Sequence, residues 1–438
     1  MPASPADSAL YRGLFSDDET AALFTDSAEI RAMLLVEGSL ARVQGTLGLI
    51  PETAAAFIDR SAREVQIDPA ALAAETAVNG VPVPALVAAF RKAMEAPDHA
   101  RYLHWGATSQ DIMETGQALR LRRVMALWDA RLEALAQSLG RLALAHAELP
   151  MAARTYGQVA TPTSFGAVVA SWGHPILRHR ARLATVRDDL AVVSLSGAAG
   201  TLSAMGENGP AVRAGLAQAL GLGDPGHTWH AERDRIGAFA AWMAGLTASL
   251  GKMGEDLILL TQSGMAEVAI SGAGASSTMP QKQNPVGPSV LVAVARQVIA
   301  LAGVLQGAGL HRQQRDGAAW FAEWLALPEV CILTGRALAL ALDLAQRIHP
   351  DATAMAQGLD DGSGLIRAEE ITFALSRHMP RPEAQAKVKD LCKQAKPGGP
   401  SLAHLVAEAF PACDIPTSGS LGTAPDEARA FAASTGAI

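Results

Sequence analysis

The chain has 438 residues, 49% hydrophobic but only 5% aromatic, with a formal net charge of −7 and a pI near 5.9. That length supplies two or three domains and a large core, and a mildly acidic surface argues against a nucleic-acid partner, which calls for a basic face. The start, MPASPADSALYRGLF, lacks a basic stretch followed by an apolar one, no run long enough to span a bilayer is uniformly apolar, and Cys331, Cys392 and Cys413 have neither pairing nor metal-ligand spacing, so the expectation is a cytoplasmic protein with reduced thiols and no membrane contact.

Alanine and the aliphatics carry the apolar content, a mixture that favours close-packed helices over sheets. The expected fold is all-α, with residues 1–110 as an N-terminal helical domain, 111–345 as a central long-helix bundle and 346–438 as a C-terminal helical domain. In chain order, the first informative break is His104-Trp105-Gly106-Ala107-Thr108-Ser109-Gln110-Asp111. Thr108 with Asp111 three residues on resembles a capping box, and a helix N-terminus there favours an anion through its unpaired donors. An ordinary capped helix reads the same way. The following apolar run, Val124, Trp128, Leu132, Leu135, Leu139, Leu142, has helical spacing.

Next comes Arg154-Thr155-Tyr156-Gly157-Gln158-Val159-Ala160-Thr161-Pro162-Thr163, which combines a cation, hydroxyls and an amide with turn residues. It reads as a loop between helices, with or without a binding role. From Ile236 the positions Phe239, Met243, Leu246, Leu250, Met253, Leu257 and Leu260 alternate steps of three and four, a heptad seam on one long helix. Gly245 and Gly254 among them would let neighbouring helices approach closely. A second seam runs Leu291, Val294, Val298, Leu301, Leu305. Several such helices make a bundle, and the same features suit a bundle that extends across subunits.

Between those two seams lies Gly272-Ala273-Gly274-Ala275-Ser276-Ser277-Thr278-Met279-Pro280-Gln281-Lys282-Gln283-Asn284-Pro285. Gly272 and Gly274 permit left-handed backbone, and Pro280 and Pro285 stop a helix from running through. No Walker pattern is present, since the lysine is neither preceded by glycine nor followed by a hydroxyl residue. Near the end, Lys396-Pro397-Gly398-Gly399-Pro400 marks a loop within the C-terminal segment.

The stretch from Ser276 to Pro285 resembles the SSxMPxKxNP signature of the fumarase/aspartase superfamily, and the other two breaks occur in that superfamily's order. The Trp229–Arg235 and Trp320–Glu329 segments and Gly197-Ala198-Ala199-Gly200 are similar to its branch acting on 3-carboxy-cis,cis-muconate. Two positions depart: Ala275 stands where glycine usually precedes the first serine, and Tyr156 stands where lyases carry histidine and cycloisomerases tryptophan. The resemblance implies a homotetramer with active sites shared between subunits, no metal or organic cofactor, and a small di- or tricarboxylate substrate. It implies either a cycloisomerase or a C–N or C–O lyase that releases fumarate, with an inactive scaffold as the remaining alternative. It implies Ser276 as the general base and Lys282 with Asn284 as the carboxylate-binding pair. Thr108, Ser109, Arg154, Thr155, Tyr156, Gln158, Ser277 and Met279 match other substrate-contacting positions, and His104 is the histidine for acid or charge-stabilising work. Arg233, Arg235 and Arg315 could balance a trianion or form surface salt bridges.

Overall fold

The structure is a computed structural model that describes residues 4–272, 274, 275, 279, 282–414 and 419–436. Its framework is helical. Five long helices dominate: Ser109–Ala145, Phe165–Leu190, Asp234–Leu260, Val286–Gly307 and Gly317–Ala345. The seam from Ile236 to Leu260 lies on the third of them, and all eight of its apolar positions are buried. In the other two runs Leu142 and Leu301 are half-buried and the rest are buried.

The fold divides into two compact units: Met1–Arg131, His179–Ala248 and Val294–Ala339 form one, and Leu132–Arg178, Ser249–Ala293 and Leu340–Ile438 the other. In the first unit, Ile30, Met33, Leu40, Ile58, Leu86, Phe90 and Leu103 form a core shared with Val212, Leu216 and Trp320. Trp128 and Trp242 stack there with ring centroids 5.9 Å apart. Arg131 holds the amino-terminal segment by ion pairs to Asp17 (2.7 Å) and Glu19.

In the second unit the helices Phe165–Leu190 and Ala424–Ser434 meet at Gly173. A β-carbon on Gly173 would fall within the Phe431 ring, so only glycine lets that ring seat. Gly254 does the same service between Asp234–Leu260 and Val286–Gly307, where an added β-carbon would stand 2.8 Å from the Pro288 carbonyl oxygen. A separate small core of Ile371, Leu375, Val388, Leu402 and Val406 supports the C-terminal segment.

The sheet content is three two-stranded antiparallel ladders: β1 (Pro150–Thr155) with β2 (Gln158–Ser164), β3 (Val268–Ile270) with β6 (Ile348–Pro350), and β4 (Gly274–Ala275) with β5 (Gln283–Asn284). The segment read from sequence as an interhelical loop at 154–163 is therefore most of a hairpin. No run of membrane length is uniformly apolar, yet by length and composition alone Val286–Gly307 and Gly317–Ala345 could cross a bilayer, with mean hydropathies of 1.8 and 1.7 over eighteen-residue windows. Half of the first and 61% of the second are buried within the chain, as in core helices.

Gly173→Leu is expected to unseat Phe431 at a cost typical of overpacking plus a lost aromatic, about 3–5 kcal/mol. Thermal denaturation and limited proteolysis at the Ala424–Ser434 helix would read this; a melting temperature equal to the parent's would contradict the packing described.

Candidate active site

The first sequence-predicted segment lies in the first unit. Arg91 donates to the carbonyls of Ala100 (3.3 Å) and Leu103 (3.1 Å), and Gln44 donates to that of Trp105 (2.7 Å). These bonds hold the tight turn before the Ser109–Ala145 helix. Within the turn His104 has φ 63°, the left-handed region that costs a non-glycine residue of order 1–3 kcal/mol. The His104 Nδ1 lies 2.7 Å from Glu37 Oε1, and Glu37 is buried at 1% exposure. A hydrogen bond between charged partners contributes about 1.5–3 kcal/mol, enough to offset that strain. Burial acts to lower the His104 pKa, but the Glu37 carboxylate, through charge and hydrogen bond, and the Asp111 charge carry it above the usual value near 6.5.

Thr108 and Ser109 sit half-buried at the helix start, and the Thr108 N–H donates to Asp111 Oδ2 (3.0 Å), one half of a capping box. Asp111 does more than cap. Its carboxylate, fully buried, also accepts the N–H groups of Ser196 (2.8 Å) and Gly197 (3.0 Å) and lies 2.8 Å from His230 Nε2. One acid thus ties the helix start to the Gly197–Gly200 turn and to the Trp229–Arg235 segment. Just before it, the Gln110 amide donates to Glu114 Oε1 (2.8 Å) and the His230 carbonyl (3.0 Å), and its oxygen accepts from Arg315 Nε (2.6 Å).

Arg233 is not a surface residue. Its side chain is wholly buried, donating to Glu114 Oε1 (2.7 Å) and with two nitrogens to Glu323 (2.7 and 3.1 Å). One cation between two carboxylates leaves an excess of negative charge. Burial raises the Glu114 pKa, and the Glu323 charge adds to this against the lowering by Arg233 and His230. Sequence reasoning missed Glu37, Glu114, His230 and Glu323 as site-shaping residues and gave Asp111 only a capping role. A signal existed: Glu323 lies between Phe321 and Trp324 in a run of aromatics, where a buried acid demands a cation.

The remaining predicted residues lie in the second unit. β1 and β2 pair through Thr155 and Gln158, leaving Tyr156-Gly157 as a two-residue connection with φ 52° and 73°. Two positive φ values in succession are the type I′ signature, whose twist matches that of the strands. Thr155, Tyr156 and Gln158 are exposed at this tip. Arg154 is drawn the other way: both terminal nitrogens bind Glu267 (2.9 and 2.7 Å), which is 1% exposed. A β-carbon on Gly358 would stand 2.6 Å from that carboxylate, so the Ala352–Leu359 helix packs closely over the pair.

The β4–β5 ladder pairs Gly274 with Asn284 and Ala275 with Gln283, a short two-pair neck. Gly272 supplies the left-handed turn (φ 68°), while Gly274 is needed for room, since a β-carbon there would approach Val286 Cγ2 to 2.9 Å. Arg347 Nε donates to the Ser271 carbonyl (2.6 Å), and the Ser271 N–H to the Arg347 carbonyl (3.0 Å), fixing the base of the neck. Met279 and Lys282 are exposed and Asn284 is half-buried. Ser276 and Ser277 lie outside the described residues.

A family profile described as Lyase matches residues 7–300. The chain is 40% identical over 391 residues to a 3-carboxy-cis,cis-muconate cycloisomerase of Pseudomonas aeruginosa, covering 88% of this chain and 85% of that one. It is 36% identical over 449 residues to a nitrosuccinate lyase of Streptomyces davaonensis, covering all of this chain and 94% of the relative. Its fold matches the crystal structure of a 3-carboxy-cis,cis-muconate lactonizing enzyme from Pseudomonas putida with a TM-score of 0.91 at 33% identity, over 98% of this chain and 99% of that one.

Glu37→Gln is expected to bring the His104 titration midpoint down, measured on its ring protons by NMR. Because the folded pKa is raised, the charge pairing stabilises the fold fully below the ordinary histidine value and is lost as pH rises through the folded one. The stability gap between parent and variant should therefore narrow across that window; an unmoved midpoint would take Glu37 out of the pairing.

Proposed function

The chain belongs to the lyase family, within the fumarase/aspartase superfamily, and on that premise we propose that it acts as a 3-carboxy-cis,cis-muconate cycloisomerase in the cytoplasm. A substrate carboxylate oxygen adds to one carbon of a C=C bond. The neighbouring carbon, beside another carboxylate, then takes up one proton, and the product is a carboxymuconolactone. What carries this reading is the match in sequence and fold, along most of the chain, to enzymes that bear this name.

In this reading Ser276 exchanges the proton at carbon. A serine hydroxyl is far too weak an acid to serve unaided, so its alkoxide needs donors held close in a site that excludes water. Lys282 is the cation for that work, with Asn284 beside it to hold a substrate carboxylate. Ala275 and Gln283 are register partners, and Ser276 and Lys282 are their immediate neighbours in sequence. Thr108 and Ser109 at the helix start, the hairpin residues Arg154, Thr155, Tyr156 and Gln158, and Ser277 and Met279 complete the substrate contacts, with His104 supplying positive charge.

The site is completed by a homotetramer. Thr155, Tyr156 and Gln158 project from a hairpin tip, with Tyr156 wholly exposed, and the Val286–Gly307 helix leaves Ile299 and Val304 at 49% and 42% exposure. An apolar helix face and a polar tip left open in the single chain are what neighbouring subunits would cover.

A second reading is a lyase that breaks a C–N bond to release fumarate. It is favoured by the nitrosuccinate lyase match, which runs the whole length of this chain. Purified enzyme mixed with 3-carboxy-cis,cis-muconate should remove the conjugated-diene absorbance; persistence of that absorbance, with fumarate formed from nitrosuccinate, would favour the lyase. Ser276→Ala is expected to lower kcat by roughly 10²–10⁴-fold with unchanged circular dichroism and sedimentation. Parent-like turnover in the variant would remove Ser276 from the proton step.

A further inference from the structure

The starts of two long helices in the first unit are joined by one side-chain contact. Gln110 lies in the first turn of the Ser109–Ala145 helix, and Arg315 stands two residues before the Gly317–Ala345 helix. The intervening Asp316 accepts the N–H groups of Ala318 (3.0 Å) and Ala319 (3.4 Å), which fixes the backbone that carries Arg315. The Arg315 guanidinium is held by two neutral acceptors, the Gln110 oxygen at 2.6 Å and the Ala198 carbonyl at 3.3 Å. No carboxylate pairs with it among the described residues, and it is exposed. Arg233 and Arg154, by contrast, each lie against buried acids.

Gln110 has no freedom to turn away. It is 1% exposed, and its NH2 group faces Glu114 Oε1 (2.8 Å) and the His230 carbonyl (3.0 Å). A carbonyl only accepts, so turning the amide round would set oxygen against oxygen at His230 and donor against donor at Arg315. The amide oxygen therefore points at Arg315. Glu114 reinforces this, because it and Glu323 share one cation, Arg233, and the surplus negative charge polarises the amide toward Arg315. With Nε and one terminal nitrogen engaged, the other terminal nitrogen and the outer edge of the fork remain for a planar anion.

We propose that Arg315 binds a carboxylate of the substrate through that open fork, and that Gln110 is the residue that positions it. The proposal rests on the reading of this chain as an enzyme for a polycarboxylate, and it adds a cation which that reading does not assign. Ser109 precedes Gln110 in the chain, so a carboxylate on Arg315 lies beside the helix start already given to substrate. Arginine suits the place, since its planar fork meets both oxygens of a carboxylate where lysine offers a point charge. A swinging arginine would lose rotamer freedom when the ligand arrives. One held at two points has already lost it, so more of the contact appears as affinity.

The test is isothermal titration calorimetry on the intact protein with tricarballylate, an unreactive tricarboxylate, as the probe. Saturable binding is expected, weakened about tenfold or more in Arg315→Met. Gln110→Met, near in size but without the acceptor, should weaken it about threefold or more by itself and by nothing further in the Arg315→Met background. A merely structural role for Gln110 would give the same loss in both backgrounds and overturn the positioning. Where circular dichroism shows that Gln110→Met does not fold, Gln110→Asn, an amide one methylene too short, takes its place in the cycle. In turnover of 3-carboxy-cis,cis-muconate both single variants should raise KM and leave kcat within about twofold. Coupled binding in a protein that leaves 3-carboxy-cis,cis-muconate unchanged would keep the arginine site and end the cycloisomerase reading; turnover without the coupling would do the reverse. Absence of saturable binding, or parent-like affinity in Arg315→Met, would each overturn the proposal.

Discussion

Asp111 accepts hydrogen bonds from Thr108, Ser196 and Gly197 and lies against His230, with no exposure to solvent. Much of the first unit's polar architecture depends on that one carboxylate. A buried acid without such donors would be costly enough to shift its protonation instead. With them, two segments far apart in sequence, at 196–197 and 230, are fixed to the beginning of one helix. The Thr108 and Ser109 positions are therefore set by hydrogen bonds to backbone groups, which do not swing as side chains do. A site built at a helix start needs that rigidity, since its donors act only if they already point at the charge they meet.

The neighbouring ion cluster follows different physics. Arg233 has no solvent access and two acidic partners, so it contributes little net stability as an isolated pair would be reckoned. What it does is forbid alternatives. Moving the Ser109–Ala145 helix by one residue would strand Glu114, and moving the Gly317–Ala345 helix would strand Glu323. Packing of aliphatic seams alone would tolerate such slips better, because one leucine replaces another with little penalty. The seam aligns the helices, and the charges fix their register.

The helices were legible in the sequence because their seams repeat. Eight apolar residues in steps of three and four from Ile236 to Leu260 leave no other reading, and Gly254 was legible as a point of close approach. The hairpin at 150–164 was not, for a physical reason. Tyr156-Gly157 is a poor textual cue for a type I′ turn, which favours asparagine or aspartate at its first position, and Thr161-Pro162-Thr163 reads as a break. Arg233 was read as a possible surface ion pair because its partners lie about ninety and one hundred and twenty residues away, beyond any local pattern. The SSxMPxKxNP resemblance located the third segment, yet nothing in it foretold the β4–β5 ladder, which needs only backbone groups.

The two units handle their acids in the same manner. In the first, Asp111 and Glu37 are consumed by backbone donors and His104; in the second, Glu267 is consumed by Arg154. Arg154 thereby fixes β1, whose last residue is Thr155, and its charge is already answered before any substrate arrives. The same holds for Arg233, and Arg315 spends its Nε on Gln110. For an enzyme whose global charge is negative, attraction of a polycarboxylate cannot come from the overall field. It must come from cations not already matched by buried acids; His104 is matched by Glu37, and among the assigned residues Lys282 is exposed. Substrate affinity should then depend on few charges held close, which fits a site that must separate a trianion from the surrounding dicarboxylates by where each carboxylate lies.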